Sequence, residues 1–233
     1  TAFSLFSQDV SAQLKSQYDK KLEGKRSVYN QTLQYIYDNP QSPSLGELYF
    51  NVAEMSNEIN VDNPGLTAEY YSNVLKYDSD FKKKDAVLYN IGYYTYLAKV
   101  YERNDERQKN IDLVINWPDY LRLSEEKLSN SIDAFSQIKD TMPDSYYGTE
   151  AIYRLGTLYF DIALDARSPL EYYNKAIGYF DEVAQREGDQ LQYYGLFQRA
   201  WTYFNSGQFD LAIDDFTLVL EVVKNDSLNI LKT

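Results

Sequence analysis

Cysteine and histidine are both absent from the 233-residue chain. Their absence excludes a disulfide framework, a thiol nucleophile, a Cys/His zinc site and a histidine general base. Missing cysteine fits either a reducing compartment or an extracytoplasmic protein that avoids thiol chemistry. No apolar run approaches the roughly 18 to 20 residues that cross a bilayer. The chain opens at Thr1 without Met or a signal segment, so it is expected to be a mature or trimmed form, any anchor or export signal having been lost upstream. Positive charge is scarce too: 23 Lys and Arg stand against 35 Asp and Glu, a net charge of −12. Phosphate backbones are held by clustered cations, so nucleic acid is not an expected partner. Lys82-Lys83-Lys84, and Lys20-Lys21 with Lys25-Arg26, read as solvated helix faces.

What is abundant is aromatic side chain, with 24 Tyr, 11 Phe and 2 Trp, and it recurs in a pattern. The segment Tyr193 to Val222 holds Leu196, Ala200 and Tyr203, then a break at Asn205-Ser206-Gly207, then Ala212, Phe216 and Val219. Upstream, Leu155-Gly156 and Tyr159 precede Ala176, Phe180 and Val183. Before them Ile91-Gly92 precedes Ser131, Phe135, Ile138 and Pro143, and Leu45-Gly46 with Tyr49 precedes Thr67, Tyr71 and Val74. Apolar residues three and four apart give each segment one buried helical stripe. A Gly or Ala in the first helix of each pair admits the second at close range, and the second helix's aromatic fills the space beside it. A single pair cannot cover both of its faces, so pairs are expected to stack. Ser44 with Glu47 and Ser168 with Glu171 read as capping boxes, the second with Pro169 at its first helical position, and Asn63-Pro64 marks another helix start.

This pattern resembles the tetratricopeptide repeat family: a Leu-Gly pair, Tyr three residues on, then Ala and Phe four apart, then Pro. Leu155-Gly156, Tyr159, Ala176 and Phe180 match it, as do Ala212 and Phe216. Arg199-Ala200 in place of Leu-Gly, Ser131 and Thr67 in place of Ala, and Thr95 in place of Tyr depart from it. The resemblance spans residues 42 to 224 and implies an all-α, right-handed superhelical solenoid of about five antiparallel helix pairs. The stretches from Met142 to Phe160 and from Tyr77 to Tyr96 are also similar to bacterial envelope members, the outer-membrane assembly lipoproteins and Tol-Pal accessory proteins. That similarity implies a periplasmic or outer-membrane location.

Spacing refines the expectation. In a regular 34-residue repeat the first-helix Gly stands about sixteen residues before the second-helix aromatic. Here 200 to 216 is 16, 156 to 180 is 24, 46 to 71 is 25 and 92 to 135 is 43. The return steps hardly vary: 71 to 92 and 135 to 156 are both 21, and 180 to 200 is 20. The extra residues therefore fall inside pairs, where they should lengthen the first helix or project from one edge. The expected pairs lie near 44–77, 81–139, 145–186 and 190–224, within an array over 41–226. The largest insertion, near 104–120, has a break at Asn116-Trp117-Pro118, and its Ile111, Leu113, Val114, Ile115 and Trp117 read as a local cap over the second of these pairs. Residues 1–40 read as a further helix pair or degenerate repeat, with stripes at Phe3, Phe6, Val10, Leu14 and Tyr18 and at Val28, Tyr29, Leu33 and Ile36. Residues 227–233 read as the start of a further helix.

In tetratricopeptide arrays the first helices line a concave groove. Carried over from the resemblance, the groove-facing, partner-binding positions are Phe50, Tyr89, Tyr93, Tyr96, Tyr153, Phe160, Tyr194, Phe197, Trp201 and Phe204. Tyr suits recognition because it offers a rigid face and a hydroxyl at low entropic cost. The same spacing also describes core residues, and Phe135, Phe180 and Phe216 are assigned to packing.

Catalysis, metal and cofactor find no motif. Asp214-Asp215 and Glu125-Glu126 are adjacent, so on a helix they diverge by about 100°. Asp161 and Asp165 share a face but read as a solvated pair, and Asp78 with Asp80 is too sparse for a calcium loop. The expectation is a non-enzymatic scaffold that lays a protein or peptide segment along an aromatic groove. A glycan- or cell-wall-binding module using exposed Tyr and Trp, and a self-assembly module, are the alternatives.

Overall fold

A computed structural model describes residues 2–109 and 119–230; for 2–13, 107, 119 and 222–230 the backbone alone is described. Among the described residues the fold is all-α, with no strand. The chain divides within its fourth helix into two compact units, residues 1–90 and 91–233.

The first unit begins with α1 (Ala2–Asp38), followed by α2 (Leu45–Ile59) and α3 (Pro64–Tyr77), and ends in the opening turns of α4 (Lys84–Lys109). The helix pair expected over 1–40 is one uninterrupted helix of 37 residues. No proline separates the two expected stripes, and a lone Gly24 costs a helix only about 1 kcal/mol, so nothing forces a turn. The C-terminal part of α1 packs along α2 through Tyr29, Ile36, Leu45 and Val52. α2 and α3 form the hairpin expected near 44–77 and pack closely. At its centre the buried hydroxyls of Ser56 and Thr67 share a 2.9 Å hydrogen bond. Tyr71 is 1% exposed and donates its hydroxyl to Glu54. Asn63 caps α3 as expected, its side chain accepting from the Leu66 amide. The capping boxes do not form: Ser44 makes no side-chain cap bond, and Pro169 takes the N-cap position of α7. Glu47 and Glu171 instead reach lysines, Lys82 and Lys175.

The second unit continues α4 to Lys109 and holds a short 3-10 turn at Asp119–Leu121. It then builds α5 (Ser129–Thr141), α6 (Gly148–Asp165), α7 (Leu170–Ala184), α8 (Gln192–Asn205) and α9 (Phe209–Ile230). From α5 onward each helix packs on the next in chain order. Short connections between packed neighbours make them antiparallel hairpins. The expected small-residue contacts are present: a Cβ on Gly92 would lie 2.7 Å from the Phe135 ring, and one on Gly156 2.6 Å from the Phe180 ring. Both phenyl rings are 1% exposed. In the first unit the same position behaves differently, because Gly46 faces Asp78 rather than Tyr71.

Part of the extra length goes into the first helices α6 and α4, but not into α2, which has only 15 residues. α8 has 14 residues, whereas α6 has 18 and α4 has 26. The α8–α9 turn uses Gly207 at φ +81°, a left-handed conformation that favours glycine. The Gln208 amide donates to Tyr203 and the Gly207 amide to Phe204, the paired bonds of a Schellman stop. α9 runs unbroken through Ser227 to Ile230, where the sequence pattern had indicated a fresh start. The hydrophobic insert around Trp117 lies outside the described residues.

Candidate functional site

α8 owes its orientation to what it buries. Gly195 sits against Val183 and the Ala184 backbone of α7, while Ala200 and Thr202 are fully buried. Arg199 anchors the same side. Its guanidinium donates twice to Asp215 of α9, at 2.7 Å each, and also to Asp181 of α7. A bidentate arginine–carboxylate pair shielded from water fixes geometry as well as energy. With that face pinned, Tyr194, Phe197, Trp201 and Phe204, spaced three, four and three apart, share the opposite face. They are 60%, 41%, 41% and 49% exposed.

These side chains form one surface that runs onto α9. Trp201 meets Phe197 at 6.3 Å and Phe204 at 5.7 Å between ring centroids, both edge to face. Phe216 stands edge-on to Phe197 and Trp201, and Phe204 to Phe209. Phe216, expected in the packing, is half-buried and doubles as the floor of this surface. Phe209, Ile213 and Leu220 extend the stripe along α9 and are each more than half exposed. A contiguous apolar surface on this scale marks a binding site more often than isolated exposed side chains do. Its neighbours Asp210, Asp214 and Glu221 are exposed carboxylates.

The other sequence-predicted positions do not form an open aromatic row. Phe50 belongs to the first unit's core, with Tyr71 and Phe81 around it and the Lys83 ammonium 4.8 Å above its ring. Tyr89, Tyr93, Tyr96, Tyr153 and Phe160 are half-buried. The Arg154 guanidinium covers the Tyr93 ring at 5.5 Å, and Gln198 donates to the Tyr153 hydroxyl at 3.2 Å. Phe160 leans on Tyr173. Tyr96 donates its hydroxyl to Asp161, and burial followed by that carboxylate's charge raises its pKa well above the usual phenol value.

The acids Asp161 and Asp165 correct the expectation of a solvated pair. Asp165 is 6% exposed; it accepts from Arg103 at 2.9 Å and from the Leu123 amide at 2.9 Å, while its backbone carbonyl accepts from Arg122. This cluster ties residues 121–123 to the end of α6. Burial raises the pKa of Asp161, against the opposing pull of Tyr96 and Arg103. The local acid spacing gave no sign of this network, because its arginines arrive from positions 62 and 43 residues distant. Asp214 and Asp215 diverge as adjacent helical residues should, one exposed and one buried.

A cavity of about 290 Å³ opens beside this cluster, between the end of α4 and residues 120–127. Its cations are engaged: Lys99 with Glu102, Arg103 with Asp165, and Lys127 with the backbone carbonyls of Tyr120 and Arg122. No described helix is long and apolar enough to cross a membrane. No family model matches the chain, and no curated protein is significantly similar to it in sequence.

Proposed function

We propose that the chain is a non-enzymatic, tetratricopeptide-like scaffold that holds a segment of a partner protein against the aromatic face of α8. One observation carries this reading: Tyr194, Phe197, Trp201 and Phe204 stand exposed in a row while the opposite side of the same helix is locked by Arg199, Asp181 and Asp215. Rigid aromatic rings on a fixed helix offer contact area with little entropy left to lose on binding. The helix-pair pattern and the Gly156–Phe180 and Gly92–Phe135 contacts support a stacked-repeat arrangement. The resemblance of the connecting segments to envelope proteins supports an extracytoplasmic setting.

The α8 face replaces the wider groove of ten positions as the docking surface, because the remaining six are packed or half-covered. Crosslinking from position 201 in the native cell, followed by mass spectrometry, tests the reading. A discrete protein crosslinked from 201, and lost when Tyr194 and Phe204 are both changed to Ser, supports it. Saturable binding to a glycan array, competed by free saccharide, would replace it with sugar recognition.

A further inference from the structure

The face formed by α8 and α9 has a counterpart on the same chain. On α9, Phe209, Ile213, Phe216 and Leu220 follow spacings of four, three and four, and on α8, Tyr194, Phe197, Trp201 and Phe204 follow three, four and three. Both are heptad spacings, which present a narrow seam to a facing helix. The ring contacts between Trp201 and Phe216 and between Phe204 and Phe209 join the two seams side by side, leaving a trough suited to one further helix. Asp210, Asp214 and Glu221 fall within about 40° of one another on the α9 helix, beside its seam. Arg199, the cation of α8, is engaged by two carboxylates. The trough is apolar with a negative edge.

α1 carries the complementary face. Its apolar stripe is continuous, and the part at Tyr29, Leu33 and Ile36 is covered by α2. α2 ends near the ion pair between Lys25 and Glu58, and the preceding residues of α1 would extend about 35 Å beyond it. There Leu14 and Tyr18 continue the stripe at 61% and 56% exposure. Lys15, Lys20, Lys21, Lys25 and Arg26 stand against Asp19 and Glu23 over residues 15–26, five cations to two anions, a local +3 in a chain of net −12. Lys15 and Arg26 project along one edge of the stripe and Lys21 along the other.

We infer that the occupant of the α8–α9 trough is the basic projecting part of α1 from a second copy. This rests on the reading of that face as a docking surface. The contact is heterologous, joining different faces of the two copies. Opposite charge along the edges sets register and speeds encounter, and the apolar seams supply the affinity.

Sedimentation velocity of the full chain tests it. Association should be reversible, grow with concentration and weaken in about 0.5 M salt. Lys15→Glu with Lys21→Glu alters α1, and Ile213→Glu with Leu220→Glu alters the trough, all at exposed positions, so helicity and melting should be retained. Each double variant alone should lose association by on the order of tenfold or more. An equimolar mixture should regain a one-to-one complex and nothing larger, since each variant keeps one intact half. A mixture that stays monomeric overturns the inference, as does binding of the chain to anionic vesicles without self-association. A designed Leu/Lys amphipathic peptide separates the two readings. If it binds the native chain but not the trough variant while the mixture stays monomeric, the docking surface stands and α1 as its occupant falls. If neither the peptide nor α1 distinguishes native from trough variant, both fall.

Discussion

The Phe180 ring lies so close to Gly156 that a Cβ added at 156 would come within 2.6 Å of Cε1. No ordinary Cβ contact is that short, so any side chain at 156 displaces the ring or separates α6 from α7. Gly156→Ala should therefore cost about 1–3 kcal/mol by overpacking, and Gly156→Leu more. At roughly 2–4 °C per kcal/mol for a chain of this size, thermal unfolding resolves both. Combining Gly156→Ala with Phe180→Leu should recover part of the loss, because the smaller side chain vacates the space. An unchanged melting temperature in Gly156→Leu would remove the proposed repeat register.

Asp161 and Asp165, one helical turn apart, should respond oppositely to neutralisation. Asp165→Asn leaves the half-buried Arg103 guanidinium without its hydrogen-bonded carboxylate and should cost about 1–3 kcal/mol, with faster amide exchange at Leu123. Asp161 is held above its ordinary pKa of 3.8 by burial. Its charge therefore opposes folding most above the folded-state pKa, and the penalty fades as pH falls through that value toward 3.8. Asp161→Asn keeps an acceptor for Tyr96, so its stability at neutral pH should equal or exceed that of the native chain. The advantage should shrink in mild acid. Denaturant midpoints across that range check the sign.

Several tyrosines make the fold sensitive to alkali. Tyr159 is pushed up to about 12, by burial first and then by the charge of Glu125, and Tyr49, Tyr70, Tyr96, Tyr173, Tyr179 and Tyr203 are also raised, chiefly by burial. A phenol with a raised folded pKa contributes stability that is intact below its unfolded value of 10.0 and is lost as pH rises toward the folded value. Phenolate absorbance from the raised tyrosines should appear only above the ordinary phenol value, together with loss of helicity. A single step near 10 with helicity intact would contradict the packing described for these rings.

Local pattern carried much of the architecture. Gly92, Gly156, Phe135 and Phe180 were legible because close helix packing leaves few residue types that fit; spacing placed the extra residues inside the pairs without deciding between a longer first helix, as in α4 and α6, and a projection from one edge. The N-terminal segment forms one helix where the sequence suggested two, because the stripe runs on without a proline and a lone Gly24 does not oblige a chain to turn. The capping boxes do not form; Ser44 makes no cap bond, Pro169 stands at the N-cap of α7, and Glu47 and Glu171 meet lysines. The candidate site was legible only at its C-terminal end. Exposed and packed aromatics share one periodicity, and it took Arg199, bound to carboxylates on two neighbouring helices, to decide which side of α8 faces outward.

Oxidative footprinting of aromatic side chains, on the isolated chain diluted until it is monomeric and inside the native cell, tests the docking claim most directly. Tyr194, Trp201 and Phe204 should label readily in isolation and be protected in the cell, while Tyr37 and Tyr146, 81% and 89% exposed, label in both. Equal labelling of Tyr194 and Trp201 in the two settings would mean that nothing occupies the α8 face, and the proposed function would fail.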